Sequence, residues 1–330
     1  MTDAYPLRTA PFFRDYLWGG RNLQTVLGKA IPEGGVWAES WEMIDHPEHQ
    51  SRVTSGALQG RTLRDLALSD PNWLFGNLAS QLQALPLLLK YLDCQRVLSV
   101  QVHPDDNYGA RMQPPDLGKT EAWYIISAQP GAKLYAGLKE GVDARALKFA
   151  IEAGTLQDCL HVIEPQAGEC VFIPAGTVHA LGAGLLVAEI QQASNTTFRL
   201  YDWNRVDKNG NPRALHVSQA LDVINFERGP CDIQTPQTTS QAGRTRLVDC
   251  EKFVLDRLQS PAEMQVAGDQ RFHLLTAPHG PAEIRWDTSG QSHLETLQVG
   301  ESVLLPAAMP PIEVTFLQPQ SVLLDMYLPS

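Results

Sequence analysis

From Arg96 onward the sequence breaks into short apolar segments of alternating polarity, each closing at Pro, Gly or a small residue: RVLSVQVHP, EAWYIISA, AKLYAGL and ECVFIPAG. β-Branched and aromatic residues at every second position suit strands whose two faces meet different surroundings, and the Pro and Gly punctuation suits turns. Short strands are favoured over a helical bundle for this stretch. Gly 25 and Pro 23 extend the turn-rich pattern over the whole chain, so a mainly β fold built from many short strands is expected.

Helical spacing is confined to a few places. RTLRDLALSDPNWLFGNLASQLQALPLLLKYL, about 62–92, reads as a helical insertion, with Asp70 as N-cap before Pro71 in a first turn. VDARALKFAIEAGTLQDCL reads as a helix capped by Asp143 and stopped at Gly154, and ALHVSQALDVINF as a short amphipathic helix. The Gly-, Pro-, Thr- and Gln-rich stretch 227–244 is the best linker candidate. With 330 residues the chain exceeds the roughly 100–200 of one domain. A first domain over 1–240 and a smaller β domain over 241–330 are expected.

A weak internal repeat supports two related β units. Gly168-Glu169-Cys170-Val171-Phe172-Ile173-Pro174-Ala175 matches Gly300-Glu301-Ser302-Val303-Leu304-Leu305-Pro306-Ala307 at an offset of 132. His179 in the first copy falls opposite Pro311 in the second, so the second unit is expected to be metal-free.

Lys+Arg 26 against Asp+Glu 37 gives a net charge of −11, which argues against nucleic acid or an anionic membrane as partner. No apolar run reaches the roughly 18 residues of a membrane helix, and MTDAYPLRTAPFFRDY lacks a signal-peptide layout. Five cysteines without a CxxC pair suit free thiols in a reducing cytosol, so a cytoplasmic protein is expected.

Three stretches carry chemistry: LSVQVHPDD, LGKTEAWYII and IPAGTVHALG. Gln101 and His103 are two apart on an expected strand and share a face, as do Lys119 and Glu121. Glu121 follows His103 by 18 residues, a span that a loop and a return strand cover; His179 follows a Pro-Ala-Gly turn at a strand start. Two imidazoles and a carboxylate suit a divalent metal such as zinc and leave a coordination position open for catalysis. A lone histidine in a strand is more often a hydrogen-bonded structural residue, so spacing alone does not establish a metal site. The other histidines are assigned to surface or core.

LPLLLKYLDCQRVLSVQVHPDD, GKTEAWYII, PAGTVHALGAG and EIQQASNTTFRLYDWNR, taken together and in this order, resemble type I mannose-6-phosphate isomerases of the cupin superfamily, in their shorter bacterial form. The likeness runs from WGGRNL through about Trp203. It implies a cupin jelly-roll sandwich with a degenerate cupin as the C-terminal domain, and one Zn2+ per chain on His103, Glu121 and His179. Gln101 matches a further ligand of longer relatives, and is expected here either as a fourth ligand or as a support behind the ligands. The resemblance also implies an active-site arginine at Arg199, a proton-carrying Lys119, and phosphate contacts at Lys90 and Ser99. Glu189, two before Gln191 on an expected strand, is a reserve base. The sequence departs from many relatives at Asn195, where they carry an acid.

The activity so implied is interconversion of mannose 6-phosphate and fructose 6-phosphate through an enediol(ate). The partner is then a small sugar phosphate, with monomer and homodimer both compatible. Two other classes fit the same residues: a cupin oxygenase holding Fe(II) on two His and a carboxylate, and a non-catalytic sugar-phosphate-binding cupin.

Overall fold

The computed structural model describes residues 3–206, 210–259 and 263–329. They form two compact units that interleave in sequence: one takes the chain up to Asp15, Arg21–Tyr91 and the chain from Thr235 on, the other Tyr16–Gly20 and Leu92–Gln234. This differs from a single division near residue 240. The early chain joins the C-terminal stretch because Leu7 and Leu304 exchange both backbone hydrogen bonds, at 2.8 and 2.9 Å. Among the described residues no helix is long and apolar enough to cross a membrane.

The first part of the interrupted unit contains β1 (Phe12–Arg14), α1 (Asn22–Thr25), β2 (Glu39–Met43) and a small ribbon of β3 (Asp45–His46) and β4 (His49–Gln50). It continues with α2 (Leu63–Ser69), α3 (Pro71–Phe75) and β5 (Leu87–Cys94), which crosses into the other unit after Tyr91. Thr62 caps α2 in a reciprocal box with Asp65. Two expectations need correction here. Asp70 precedes Pro71 but makes no cap bond; its carboxylate accepts instead from the Ser69 hydroxyl at 2.6 Å. The helical reading fails beyond Leu78, since Leu87–Cys94 is a strand. Every residue of LLLKYLDC is buried, and a continuous apolar run has no period by which strand and helix can be told apart.

The uninterrupted part of the second unit contains β6 (Val100–Val102), α4 (Asp106–Gly109), β7 (Glu121–Ala128), β8 (Leu134–Leu138), α5 (Ala144–Ala153), β9 (Leu160–Ile163), β10 (Cys170–Ile173), β11 (His179–Leu181), β12 (Leu185–Gln192), β13 (Phe198–Tyr201) and α6 (Val217–Val223). One antiparallel sheet has the order β13-β6-β11-β8-β9; β12-β7-β10 form the other in this unit. Alternation sorts the residues of the first sheet. Val100, Val102, Val178, Ala180, Phe198 and Leu200 build an apolar core with Leu147 of α5 and Ala220 of α6. The residues between them, Gln101, His179 and Arg199, therefore point to the opposite face. A one-residue slip would bury those polar groups under the helices, so the register is strongly specified.

The C-terminal stretch contributes β14 (Gln237–Thr238), β15 (Arg244–Asp249), β16 (Val254–Gln259), β17 (Met264–Val266), β18 (His273–His279), β19 (Ala282–Thr288), β20 (Gln291–Leu297), β21 (Ser302–Leu305), β22 (Ile312–Phe316) and β23 (Val322–Tyr327). They form antiparallel sheets in the orders β14-β15-β16-β23-β18-β21 and β17-β22-β19-β20. The sequence repeat is a repeat of local structure. Gly168 and Gly300 both have φ in the left-handed region, at 89° and 80°. Each is followed by a glutamate that accepts a backbone N–H three residues back, Glu169 from Gln166 at 2.7 Å and Glu301 from Gln298 at 2.9 Å. Each then enters a strand, β10 or β21, that pairs antiparallel with β7 or β18. Pro311, opposite His179, precedes β22 and carries no ligand atom.

Candidate functional site

Register on two sheets assembles the site within one unit. On the five-stranded sheet, Arg199 lies opposite Gln101 and Gln101 opposite His179. Three polar side chains from β13, β6 and β11 thus form a row, and His103, two residues after Gln101, extends the same face. On the second sheet Glu121 faces Gln191 and Trp123 faces Glu189 across β7 and β12, which places all four on one face with Lys119 just ahead of the strand.

The two rows meet. Glu121 Oε2 lies 3.5 Å from His103 Nε2, and Glu121 Oε1 lies 3.3 Å from His179 Nε2. Both rings are fixed by backbone carbonyls: His103 Nδ1 donates to Thr196 O and His179 Nδ1 to Thr177 O, each at 2.9 Å. A carbonyl only accepts, so each Nδ1 carries the ring proton and each Nε2 turns its lone pair toward the carboxylate. All three residues are about 1% exposed. Their candidate ligand atoms lie within 4.8 Å of one another, the one such group among the described residues.

Two lone pairs and a carboxylate converging in a buried cluster repel one another unless a cation compensates them. Lys119 supplies part of the compensation, with Nζ 2.8 Å from both His103 Nε2 and Glu121 Oε2. Glu121 Oε2 is buried, and its close contacts are the Lys119 ammonium at 2.8 Å and the His103 ring nitrogen at 3.5 Å. Glu189 Oε1 lies 4.0 Å from Lys119 Nζ, so one ammonium faces two buried carboxylates. Convergent nitrogen and oxygen donors and a net negative charge, two buried carboxylates against one ammonium, together fit a divalent cation.

Other expected residues are placed as follows. Gln101 Nε2 donates to His179 Nε2 at 3.3 Å, and Ser99 Oγ donates to Gln101 Oε1 at 3.4 Å, so both adjoin the cluster. Arg199 donates through Nη1 to Ala214 O at 2.9 Å, while its buried Nε has no hydrogen-bond partner among the described residues. Burial and the charge of Arg213 push its pKa down from the usual arginine value, which still leaves it a cation at neutral pH. Lys90 is buried on β5, in the portion that belongs to the other unit, and so lies on a strand and not in the expected helical insertion.

Several participants were not singled out in the sequence. The Trp123 indole donates to Glu189 Oε2 at 3.2 Å, and its ring packs edge-on against His179 with centroids 5.4 Å apart. Its signal was available: Lys119, Glu121 and Trp123 recur at period two. Arg205 and Arg213 gather around Asp202 beside Arg199, Arg205 by a short contact and Arg213 at 3.7 Å. Sequence alone offers no sign of that cluster, because a turn separates the members.

Known proteins share this arrangement's frame. Residues 7–122 match the family model for phosphomannose isomerase type I, catalytic domain. A mannose-6-phosphate isomerase of Streptococcus mutans is 35% identical over 305 residues, 92% of this chain and 93% of that protein. The mannose-6-phosphate isomerase ManA of Bacillus subtilis is 33% identical over 303 residues, 91% and 93% of the two chains. The crystal structure of a mannose 6-phosphate isomerase from Bacillus subtilis superposes with a TM-score of 0.88 at 30% identity, covering 98% of this chain and 99% of that one.

Proposed function

The chain belongs to the type I mannose-6-phosphate isomerases of the cupin fold, and on that premise we propose a zinc-dependent aldose–ketose isomerase that moves a proton between C1 and C2 of mannose 6-phosphate and fructose 6-phosphate through an enediol(ate). The observation that carries the reading is the convergence of His103 Nε2, Glu121 and His179 Nε2 within 4.8 Å in a buried cluster. His103, Glu121 and His179 would hold the metal, with the Gln101 amide beside them as a further ligand or a support. When bound, the cation polarises a sugar oxygen and stabilises negative charge that develops there.

The chain's own groups supply the rest. Lys119 and Glu189 are the proton-transfer candidates, since both reach the cluster and only 4.0 Å separates them. Trp123 fixes the Glu189 carboxylate by its indole N–H. Arg199, with Arg205 and Arg213 nearby, concentrates positive charge, and Arg199 holds the developing oxyanion or the phosphate. Local cations thereby attract an anionic substrate against a net charge of −11. Ser99, which adjoins Gln101, is assigned to the phosphate as well. The protein is read as cytoplasmic, consistent with its sugar-phosphate substrate.

The test is an isomerase assay with mannose 6-phosphate before chelation, after chelation and after zinc restoration. Loss and recovery of anaerobic turnover are expected. Activity indifferent to chelation, or turnover that consumes oxygen, would sink the reading.

A further inference from the structure

We propose that Asp116 is a positioning residue for the metal centre, acting through Thr196 on His103. The inference rests on the reading that His103, Glu121 and His179 hold a divalent cation. The carbonyl of Thr196, 2.9 Å from His103 Nδ1, accepts the ring proton, which sets the tautomer and helps orient the ring. Thr196 belongs to the segment between β12 and β13, outside both sheets, so no ladder holds that carbonyl in place.

Asp116 holds it. One carboxylate oxygen, Oδ2, accepts from the Thr196 hydroxyl at 2.7 Å and from the Ser194 hydroxyl at 2.8 Å. Ser194 Oγ in turn accepts from Thr196 N–H at 3.2 Å, closing a ring of bonds around Thr196. The other oxygen, Oδ1, accepts from Leu117 N–H at 2.8 Å, so the carboxylate is oriented from both sides.

The loop that presents Asp116 is itself tightly seated. A Cβ on Gly109 would lie 2.5 Å from Asp116 O, and one on Gly118 would lie 2.5 Å from the Asp105 carbonyl carbon. Only glycine allows the backbone to close so tightly there. Asp106 Oδ1 ties the same loop to Gly118 N–H and to Gln192 Nε2, each at 2.8 Å. The loop from Asp105 to Gly118 thus clamps the segment whose carbonyl aims the His103 lone pair at Glu121. Partners one bond removed from a ligand typically change metal affinity by about ten- to a hundredfold.

The experiment titrates the apoprotein with zinc against a chromophoric chelator, for the wild type and for Asp116→Ala, Thr196→Val and Thr196→Ser, with thermal unfolding of each apoprotein alongside. Asp116→Ala and Thr196→Val are each expected to weaken zinc binding by about tenfold or more. Thr196→Ser, which keeps the hydroxyl, is expected to stay within about threefold of the wild type. The double variant Asp116→Ala/Thr196→Val should lose no more than the worse single variant, because both cut one link. Wild-type zinc affinity in Thr196→Val and in any folded Asp116→Ala overturns the inference, whatever the melting temperatures do. If Asp116→Ala does not fold, the Thr196 pair decides alone. A wild-type apoprotein that takes up no zinc at micromolar concentration overturns the metal reading itself, and this inference with it.

Discussion

Lys119 Nζ lies 2.8 Å from His103 Nε2, so the ammonium donates to the same lone pair that a metal ion would use. The ammonium and the cation are competitors for one atom, and they also repel as like charges. Lys119 therefore cannot be a group that holds the metal. Its place beside the cluster is what supports the proton-transfer role proposed for it.

Replacing Lys119 by Met separates those effects. Turnover is expected to fall by about a hundredfold or more, the usual contribution of a positioned acid or base. Zinc binding by the apoprotein should be equal to or tighter than that of the wild type, since a competitor has gone. Chelator competition and steady-state kinetics on one preparation check both. Weaker zinc binding would show that Lys119 supports the ligands rather than opposing them.

Trp123 gives a second separation. The indole N–H is 3.2 Å from Glu189 Oε2, and the two residues face each other across β7 and β12. Trp123→Phe keeps an aromatic edge against His179 but removes the donor. A hydrogen bond to a charged group contributes about 1.5–3 kcal/mol, so kcat should drop by about ten- to a hundredfold if Glu189 must be oriented for proton transfer. Zinc content should not change. An unaltered kcat with an unaltered pH profile would leave Glu189 without a role in the chemistry.

The legible part of this site was what strand periodicity encodes. Gln101 and His103 share a face because they are two apart, and Val100 and Val102 take the other face against α5 and α6. The placement of Glu121 and His179 at the first residues of β7 and β11 follows from the turn residues ahead of them. Illegible parts came from two causes. Leu87–Cys94 is buried throughout, so its apolar run has no period, and Lys90 falls inside the stretch whose spacing suggests a helix. Asp116, Arg213 and Thr196 act through loops, whose contacts depend on tertiary placement rather than on spacing. His273, assigned to surface or core by the absence of a nearby motif, is in the core but between two carboxylates brought from β23 and a turn.

Gly176 links the turn chemistry of PAGTVH to both imidazoles. Its φ is 83°, and its N–H donates to His103 O at 2.8 Å, three residues before His179. A Cβ there would lie 2.9 Å from Val223 O. Gly176→Ala combines left-handed strain of about 1–2 kcal/mol with that close contact. Both a lower melting temperature and weaker zinc binding are expected, because the displaced turn carries His179. A variant that melts like the wild type and binds zinc equally would disconnect this turn from the site.

His273 supplies a pH-dependent stability term remote from the chemistry. Its Nδ1 lies 2.8 Å from Asp325 Oδ1 and its Nε2 3.2 Å from Asp269 Oδ1. Both partners are carboxylates, which only accept, so both ring nitrogens carry protons and the ring is an imidazolium. Arg244 bonds the far oxygen of Asp325 and also Asp256, each at 2.8 Å, which completes the compensation in a buried network. Burial alone would lower the His273 pKa; the charge of Asp325 and the two carboxylate hydrogen bonds outweigh it and raise it from 6.5 to about 9. A folded-state value above the unfolded one stabilises fully below pH 6.5, and the contribution is lost as pH rises through about 9. The shift sets a ceiling of about 3 kcal/mol on that loss. Urea unfolding between pH 6 and 9.5 should show the wild type losing stability over this window, while His273→Gln is weaker at pH 6 and nearly flat above it. Equal alkaline slopes for the two proteins would mean that His273 does not bear the charge its neighbours imply.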